Sequence, residues 1–223
     1  QKAELEFRIG DKASYVMKDL REFGKRMREG QEGSYGKQLA FFHVPEAFEP
    51  FSREMAGLIV KQMAEYDYFH TAVGSSRASF EKVRRISLKD SLADDWFSLL
   101  NGRKIPVETA SGIKNCLVTA EDPSIAMEIR KKGRDGAQIS ISDSWFFIYG
   151  LEHIYVVDED KIHICSSDYS RNTRDFFQMT EDELFLKKRQ MVFQERDFKT
   201  FCSRVLPHLE KWVSIREYGI NLE

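Results

Sequence analysis

Residues 144–166 read SWFFIYGLEHIYVVDEDKIHICS. Three short runs, 144–149, 153–157 and 161–166, are rich in aromatic and β-branched residues. Gly150 and Asp158-Glu159-Asp160 separate them. Such side chains suit the pleated surface of a strand, whereas glycine and aspartate favour turns. Connections this short join antiparallel neighbours, because a parallel crossover needs a dozen or more residues. The stretch therefore predicts consecutive antiparallel strands.

The same pattern extends towards the N-terminus. Candidate strands at 104–109, 114–120, 125–131 and 137–142 are punctuated by Gly112, Asp122-Pro123 and Gly133-Arg134-Asp135-Gly136. The second half is read as an antiparallel β-meander. Before it the period is mixed. Residues 5–9 and 13–17 predict two strands around a Gly10-Asp11-Lys12 turn. Leu20, Phe23, Gly24 and Met27 then follow helical spacing up to Gly30. Leu39–Phe42 predicts a strand, and 52–65 a helix with Ser52 as N-cap. Arg84–Leu88 predicts a strand, and Asp90 or Ser91 caps a short helix through Leu100. The tail is expected to be helical, with a Thr180/Glu183 capping box and a long apolar stripe from Phe198 to Val213 kinked at Pro207. The expected class is α+β: helices in the N-terminal lobe and at the C-terminus, and a β-meander in the second half. One domain, residues 1–223, is expected, with lobes of about 1–103 and 104–223 meeting near 100–112.

Composition narrows the function. With 42 % hydrophobic and 13 % aromatic residues, 17 of them Phe, the 223-residue chain can bury a substantial core. Its 34 basic and 36 acidic residues give a net charge of −2. That excludes a strong uniform field for nucleic acid but leaves local basic patches open. The three cysteines, Cys116, Cys165 and Cys202, lie among apolar residues without Cys-x-x-Cys spacing, which predicts buried thiols in a reducing compartment. No apolar run reaches the roughly 20 residues of a membrane helix, and no signal peptide is visible. The chain opens on Gln1 rather than Met, as expected of a segment of a longer protein.

No residue set assembles a convincing catalytic motif. Gly30–Gln38 superficially suggests a phosphate loop, but its first glycine is misplaced by one residue and Gln38 stands where Ser or Thr would bind magnesium. A turn between a helix and a strand is the better reading. The five histidines are scattered. If Val157 pairs with Ile162, His153 and His163 fall on opposite faces and cannot share a metal. A nuclease would need Asp122 and Glu128 to converge. No Gly-x-Ser-x-Gly elbow exists, and Cys202 sits on an apolar helical stripe. No cofactor or metal site is expected.

Basic clusters are the more informative feature. Lys82, Arg84 and Arg85 lie together; Arg103 and Lys104 follow; Arg130, Lys131, Lys132 and Arg134 surround a hairpin turn; Lys187-Lys188-Arg189 lie in the tail. The candidate DNA- or partner-binding residues are Lys82, Arg84, Arg85, Arg103, Lys104, Arg130, Lys131, Lys132 and Arg134. Converging clusters would bind phosphates with little reading of bases.

The opening segment, with Leu5–Gly10, Tyr15–Leu20, Phe23 and Tyr35-Gly36-Lys37, has a distinctive look. So do Phe48, Asp122-Pro123, Gly150 before Tyr155, and Phe201 through Leu206-Pro207-His208-Leu209. As a set they resemble the accessory domain of bacterial Snf2-family helicases, over most of the chain. The resemblance implies a non-catalytic domain, either regulatory or DNA-engaging, of an ATP-dependent DNA translocase in the bacterial cytoplasm. Its implied partners are the Snf2 motor of the same parent chain and duplex DNA, with no membrane contact. Such domains precede a two-lobed ATPase, often after a SWIM-type zinc module. This chain lacks the Walker A loop, the DEAH-type motif and the arginine-finger segment. The Cys-x-Cys and Cys-x-His pairs of that module are also missing. ATP hydrolysis and zinc would belong to other parts of the parent. The alternative from another class is a protein-docking module that never touches nucleic acid.

Overall fold

The structure, a computed structural model, describes residues 2–72, 81–133, 136–142, 144–181 and 190–219. The chain forms two compact units, residues 1–88 and 89–223. The expected boundary was the segment 100–112. The helix at 90–100 instead joins the second unit, where its Phe97 stacks on Tyr155 at 4.2 Å.

The first unit holds strands β1 (Glu4–Glu6), β2 (Arg8–Ile9) and β3 (Tyr15–Val16), helix α1 (Leu20–Glu29), strands β4 (Glu32–Tyr35) and β5 (Leu39–Phe42), helix α2 (Pro50–Ala72) and strand β6 (Arg85–Ser87). Asp19 caps α1, its carboxylate accepting from the Arg21 and Glu22 amides. Gly30 ends α1 in the left-handed conformation, φ 64°. Helices α1 and α2 bury Leu20, Phe23, Ile59 and Met63 between them. β1 pairs with β6, β2 with β3 and β4 with β5, all antiparallel. Helix α2 starts at Pro50 and runs well past residue 65, so Ser52 lies inside it rather than capping it. Proline is tolerated in a first turn because its missing N–H would be unpaired there anyway. The glycine-rich segment 30–38 is a helix stop followed by β4 and its hairpin turn, so it contains a strand as well as the expected turn.

The second unit begins with α3 (Asp90–Leu100). Its cap position is Lys89, without a side-chain cap bond, and Asp90 takes a positive φ of 51°, so neither Asp90 nor Ser91 is the cap. Aspartate is among the few residues that tolerate this region. Then follow β7 (Lys104–Thr109), β8 (Gly112–Thr119), β9 (Ala126–Lys132), β10 (Gly136–Ile141), β11 (Phe146–Tyr149), β12 (Ile154–Val157), β13 (Lys161–Ile164), α4 (Ser167–Thr180), β14 (Gln190–Phe193), α5 (Glu195–Arg204), α6 (Leu206–Leu209) and β15 (Ser214–Tyr218).

The α+β class and the antiparallel hairpins are as expected, but the strands form two sheets rather than one run. One sheet has the order β11-β12-β13-β8-β7, the other β14-β10-β9-β15. After β8 the chain leaves its sheet at Asp122-Pro123, builds the β9–β10 hairpin, and returns with β11. This excursion brings β13 alongside β8 in parallel, with Ile162 opposite Val118. It also lets β15 join β9 in parallel, with Arg216 opposite Glu128.

One face of the five-stranded sheet carries α3. Asp94 of that helix accepts hydrogen bonds from the amides of Glu152 and His153 and from the Tyr155 hydroxyl at 2.6 Å. The main core lies on the other side. It joins Phe147, Ile154 and Val156 of one sheet to Met127, Ile129 and Ile139 of the other. Helices α4 to α6 close it with Phe177, Phe201 and Leu209.

The tail departs from a purely helical reading. Thr180 is the last residue of α4, its hydroxyl donating to the Phe177 carbonyl, and Glu183 lies outside the described residues. The apolar stripe does break just before Pro207, which sits in the first turn of α6 after α5 has ended. Strands β14 and β15 then occupy the two edges of the four-stranded sheet. They were not expected, because four or five residues at an edge carry little periodic signal of their own.

Candidate nucleic-acid interface

Side chains alternate along a strand, so β9 divides its residues between two faces. Met127 and Ile129 point inwards and are fully buried. Glu128, Arg130 and Lys132 point outwards. The run Arg130-Lys131-Lys132 is thereby split: Arg130 and Lys132 share the outer face, and Lys131 is exposed at the end of the inner one. Arg134 and Lys187-Lys188-Arg189 lie outside the described residues.

The register builds the outer face in rows. Val192, Gln138, Arg130 and Tyr218 sit side by side across β14, β10, β9 and β15. The next row is Gln190, Ser140, Glu128 and Arg216. The Arg130 guanidinium lies 4.3 Å from the centre of the Tyr218 ring. It also donates through Nη2 and Nε to one Glu128 oxygen, at 2.9 and 3.2 Å. The planar cation is thus held flat by a ring and a carboxylate together. Gln138 donates to Gln190 at 2.9 Å. Arg216 and Lys132 are exposed and make no ion pair among the described residues. Arg216 and Tyr218 were missed in the sequence. The alternation of Ser214, Arg216 and Tyr218 with Val213 and Ile215 could have revealed them, but it adjoins the apolar stripe of the preceding helices.

In the first unit, Arg85 on β6 faces Glu4 and Glu6 on β1, with separations of 3.5 and 3.3 Å. Hydrogen bonds to Glu6 and then Glu4 raise its pKa further. Its charge is locally offset. A groove of about 570 Å³ runs beside it, lined by Glu6, Val16, Met17, Lys18, Arg84 and Arg85. Lys18 was not among the basic candidates read from the sequence, because it joins Arg84 only through the fold. Lys82 and Arg84 are exposed. Lys104 opens β7, on the five-stranded sheet, and Arg103 directly precedes it, so neither lies on the sheet of Arg130 and Lys132.

The other candidates are held in local networks. Asp122 accepts from the Ser166 amide and hydroxyl, at 2.7 and 2.9 Å, and so anchors the start of α4. Glu128 is engaged by Arg130. Val157 does pair with Ile162. His153 meets the Cys165 carbonyl at 2.8 Å, and His163 meets Asp158 at 3.0 Å. Among the described residues no group of three or more His, Cys, Asp or Glu is placed to hold a metal ion. Cys116 and Cys165 are buried and Cys202 half-buried. Burial pushes all three thiols up, away from the reactive thiolate. Among the described residues no helix is long and apolar enough to cross a membrane.

The fold and this site define an α+β domain that presents a polar, cationic sheet face. The family model described as bacterial SNF2 helicase associated matches residues 84–217, more than half of the chain. This chain belongs to that family, which is a helicase-associated domain rather than the catalytic motor. The match covers nearly all of the second unit. Of the candidate residues, only Lys82 falls outside it. Leu5–Gly10 and Tyr15–Leu20, which carry part of the resemblance seen in the sequence, also fall outside. No curated protein and no solved structure matches the chain.

Proposed function

We propose that this chain is a non-catalytic, DNA-engaging or regulatory domain of a bacterial Snf2-type ATP-dependent DNA translocase, working in the cytoplasm beside the motor of the same parent protein. Family membership over the second unit carries the reading. The domain would contact the duplex that the motor tracks, or the motor lobes themselves. Either contact biases the motor only if it differs between the motor's arrangements, since a partner with equal affinity for both shifts nothing.

The test is equilibrium binding of the chain to a fluorescent DNA duplex and to the parent's motor fragment. Weak duplex binding that falls steeply as salt rises, or saturable binding to the motor, supports the reading. Binding to neither removes it.

A second reading, docking on protein alone, draws on the first unit. There Tyr68 and Phe69 of α2 are 72 % and 66 % exposed. Charge reversal at Arg84, Arg85, Arg130 and Lys131 separates the two. If the DNA affinity of the whole motor protein is unchanged, docking alone stands.

A further inference from the structure

We propose that the outer face of β9 and β15, carrying Arg130, Lys132, Arg216 and Tyr218, is a surface that grips the phosphate backbone of duplex DNA. This rests on the DNA-engaging form of the function above and assigns it to one face of the second unit.

Three observations carry it. The first is charge: Arg130, Lys132 and Arg216 stand against one carboxylate, Glu128, in a chain whose net charge is −2. This face therefore carries net positive charge in a chain whose total is slightly negative. The second is the kind of side chain present. Arg, Lys, Gln, Ser and Tyr are the groups that donate to phosphate oxygens. They fill this face, through Gln138, Ser140, Gln190 and Ser214 in addition to the cations. Val192, at 44 % exposure, is the large apolar exception. The centre of a protein-docking patch would be richer in apolar groups and poorer in Lys, Glu and Ser than this face. The third is preorganisation. The Arg130 side chain is held between the Tyr218 ring and Glu128, so it loses little freedom when a phosphate arrives.

The same geometry selects duplex over single strand. Single-strand binders offer several free aromatic platforms for bases. Tyr218 is the aromatic ring of this face among the described residues, and Arg130 already lies over it. Backbone contact without stacking is what remains, so little sequence preference is expected.

The experiment uses the full chain and a fluorescent duplex, with anisotropy read between about 50 and 200 mM salt. The variant Arg130→Gln/Lys132→Gln/Arg216→Gln is compared with a control that removes equal charge elsewhere in the second unit, Arg171→Gln/Lys199→Gln/Lys211→Gln. Each phosphate contact contributes about 0.9 to the slope of log affinity against log salt. Losing three contacts should flatten that slope by about 2.7 and weaken binding at low salt by at least tenfold. The control should keep most of the affinity.

Arg130 also contacts Glu128 and Tyr218, so its loss could disturb the sheet. The double variant Lys132→Gln/Arg216→Gln removes only the exposed cations without described ion pairs. It should flatten the slope by about 1.8 with an unchanged melting temperature. Equal loss in variant and control, or no loss in the variant, overturns this surface and leaves DNA engagement to other residues. Binding of single strands more than about tenfold tighter than duplex also overturns it. If the wild-type chain binds no DNA, both this surface and the DNA-engaging form of the function fall. Motor binding would then support regulation alone.

Discussion

His43 lies at the centre of the first unit and is fully buried. It stacks on Phe41 at 4.6 Å and meets the edge of Phe23 at 5.6 Å. Its Nδ1 faces the Gln31 carbonyl and must carry the hydrogen, so Nε2 accepts from the Tyr35 hydroxyl at 2.7 Å. Burial, assisted by the charge of Arg26, holds its pKa below the ordinary value of 6.5. Gly33 explains why the pocket closes so tightly. A Cβ there would run into the His43 ring and the Arg26 guanidinium.

A histidine with a depressed folded pKa stabilises the fold fully above its unfolded pKa. Below about 6.5 the unfolded chain takes up a proton that the folded chain refuses, so stability falls with pH. Urea unfolding followed by NMR should show the first unit weaker at pH 5.5 than at pH 7.5. His43→Phe should lower stability at both values and flatten the difference between them. A slope unchanged by that substitution would show that another group sets the acid response.

Helix α3 and the β11–β12 hairpin form the next level of organisation. Asp94 projects from α3 and accepts from two turn amides and the Tyr155 hydroxyl. Arg174 of α4 donates to the Gly150 and His153 carbonyls from the opposite side. The turn is thus fixed by two helices far from it in sequence. Asp94→Ala leaves the Tyr155 hydroxyl and two amides without their acceptor. It should cost about 2–4 kcal/mol, at the upper end because the lost partner is charged. Thermal unfolding of the second unit, read through its tryptophans, measures this. All three, Trp96, Trp145 and Trp212, lie in that unit. Asp94 stands next to Asp95 in the sequence. Nothing near it in sequence shows that its partners lie at 152–155, so its role was not legible.

The two compact units differ in their relation to the family. The matched span starts at Arg84 and ends at Glu217, so it takes in nearly all of the second unit and β6 but little else. The second unit also has its own core between two sheets and three helices. A fragment of residues 89–223 should therefore fold alone and melt cooperatively, and circular dichroism with tryptophan fluorescence will test it. Broad, non-cooperative melting would show that the second unit depends on the first.

What the sequence determined by itself was local. The hairpins of 104–119, 126–141 and 146–164, the stop at Gly30 and the break at Pro207 were legible. Each depends on side-chain alternation or backbone restriction within a few residues. The α+β class followed from them. The tertiary structure decided which strands share a sheet, and so which charges share a face. The parallel contacts β8–β13 and β9–β15 join segments that no local rule links. They place Arg216 beside Glu128 and Tyr218 beside Arg130. Alternation along β9 leaves Lys131 on the opposite face from its sequence neighbours. A run of three cations in sequence becomes two in space, and a third comes from the far end of the chain, because alternation separates neighbours and strand pairing brings distant residues together.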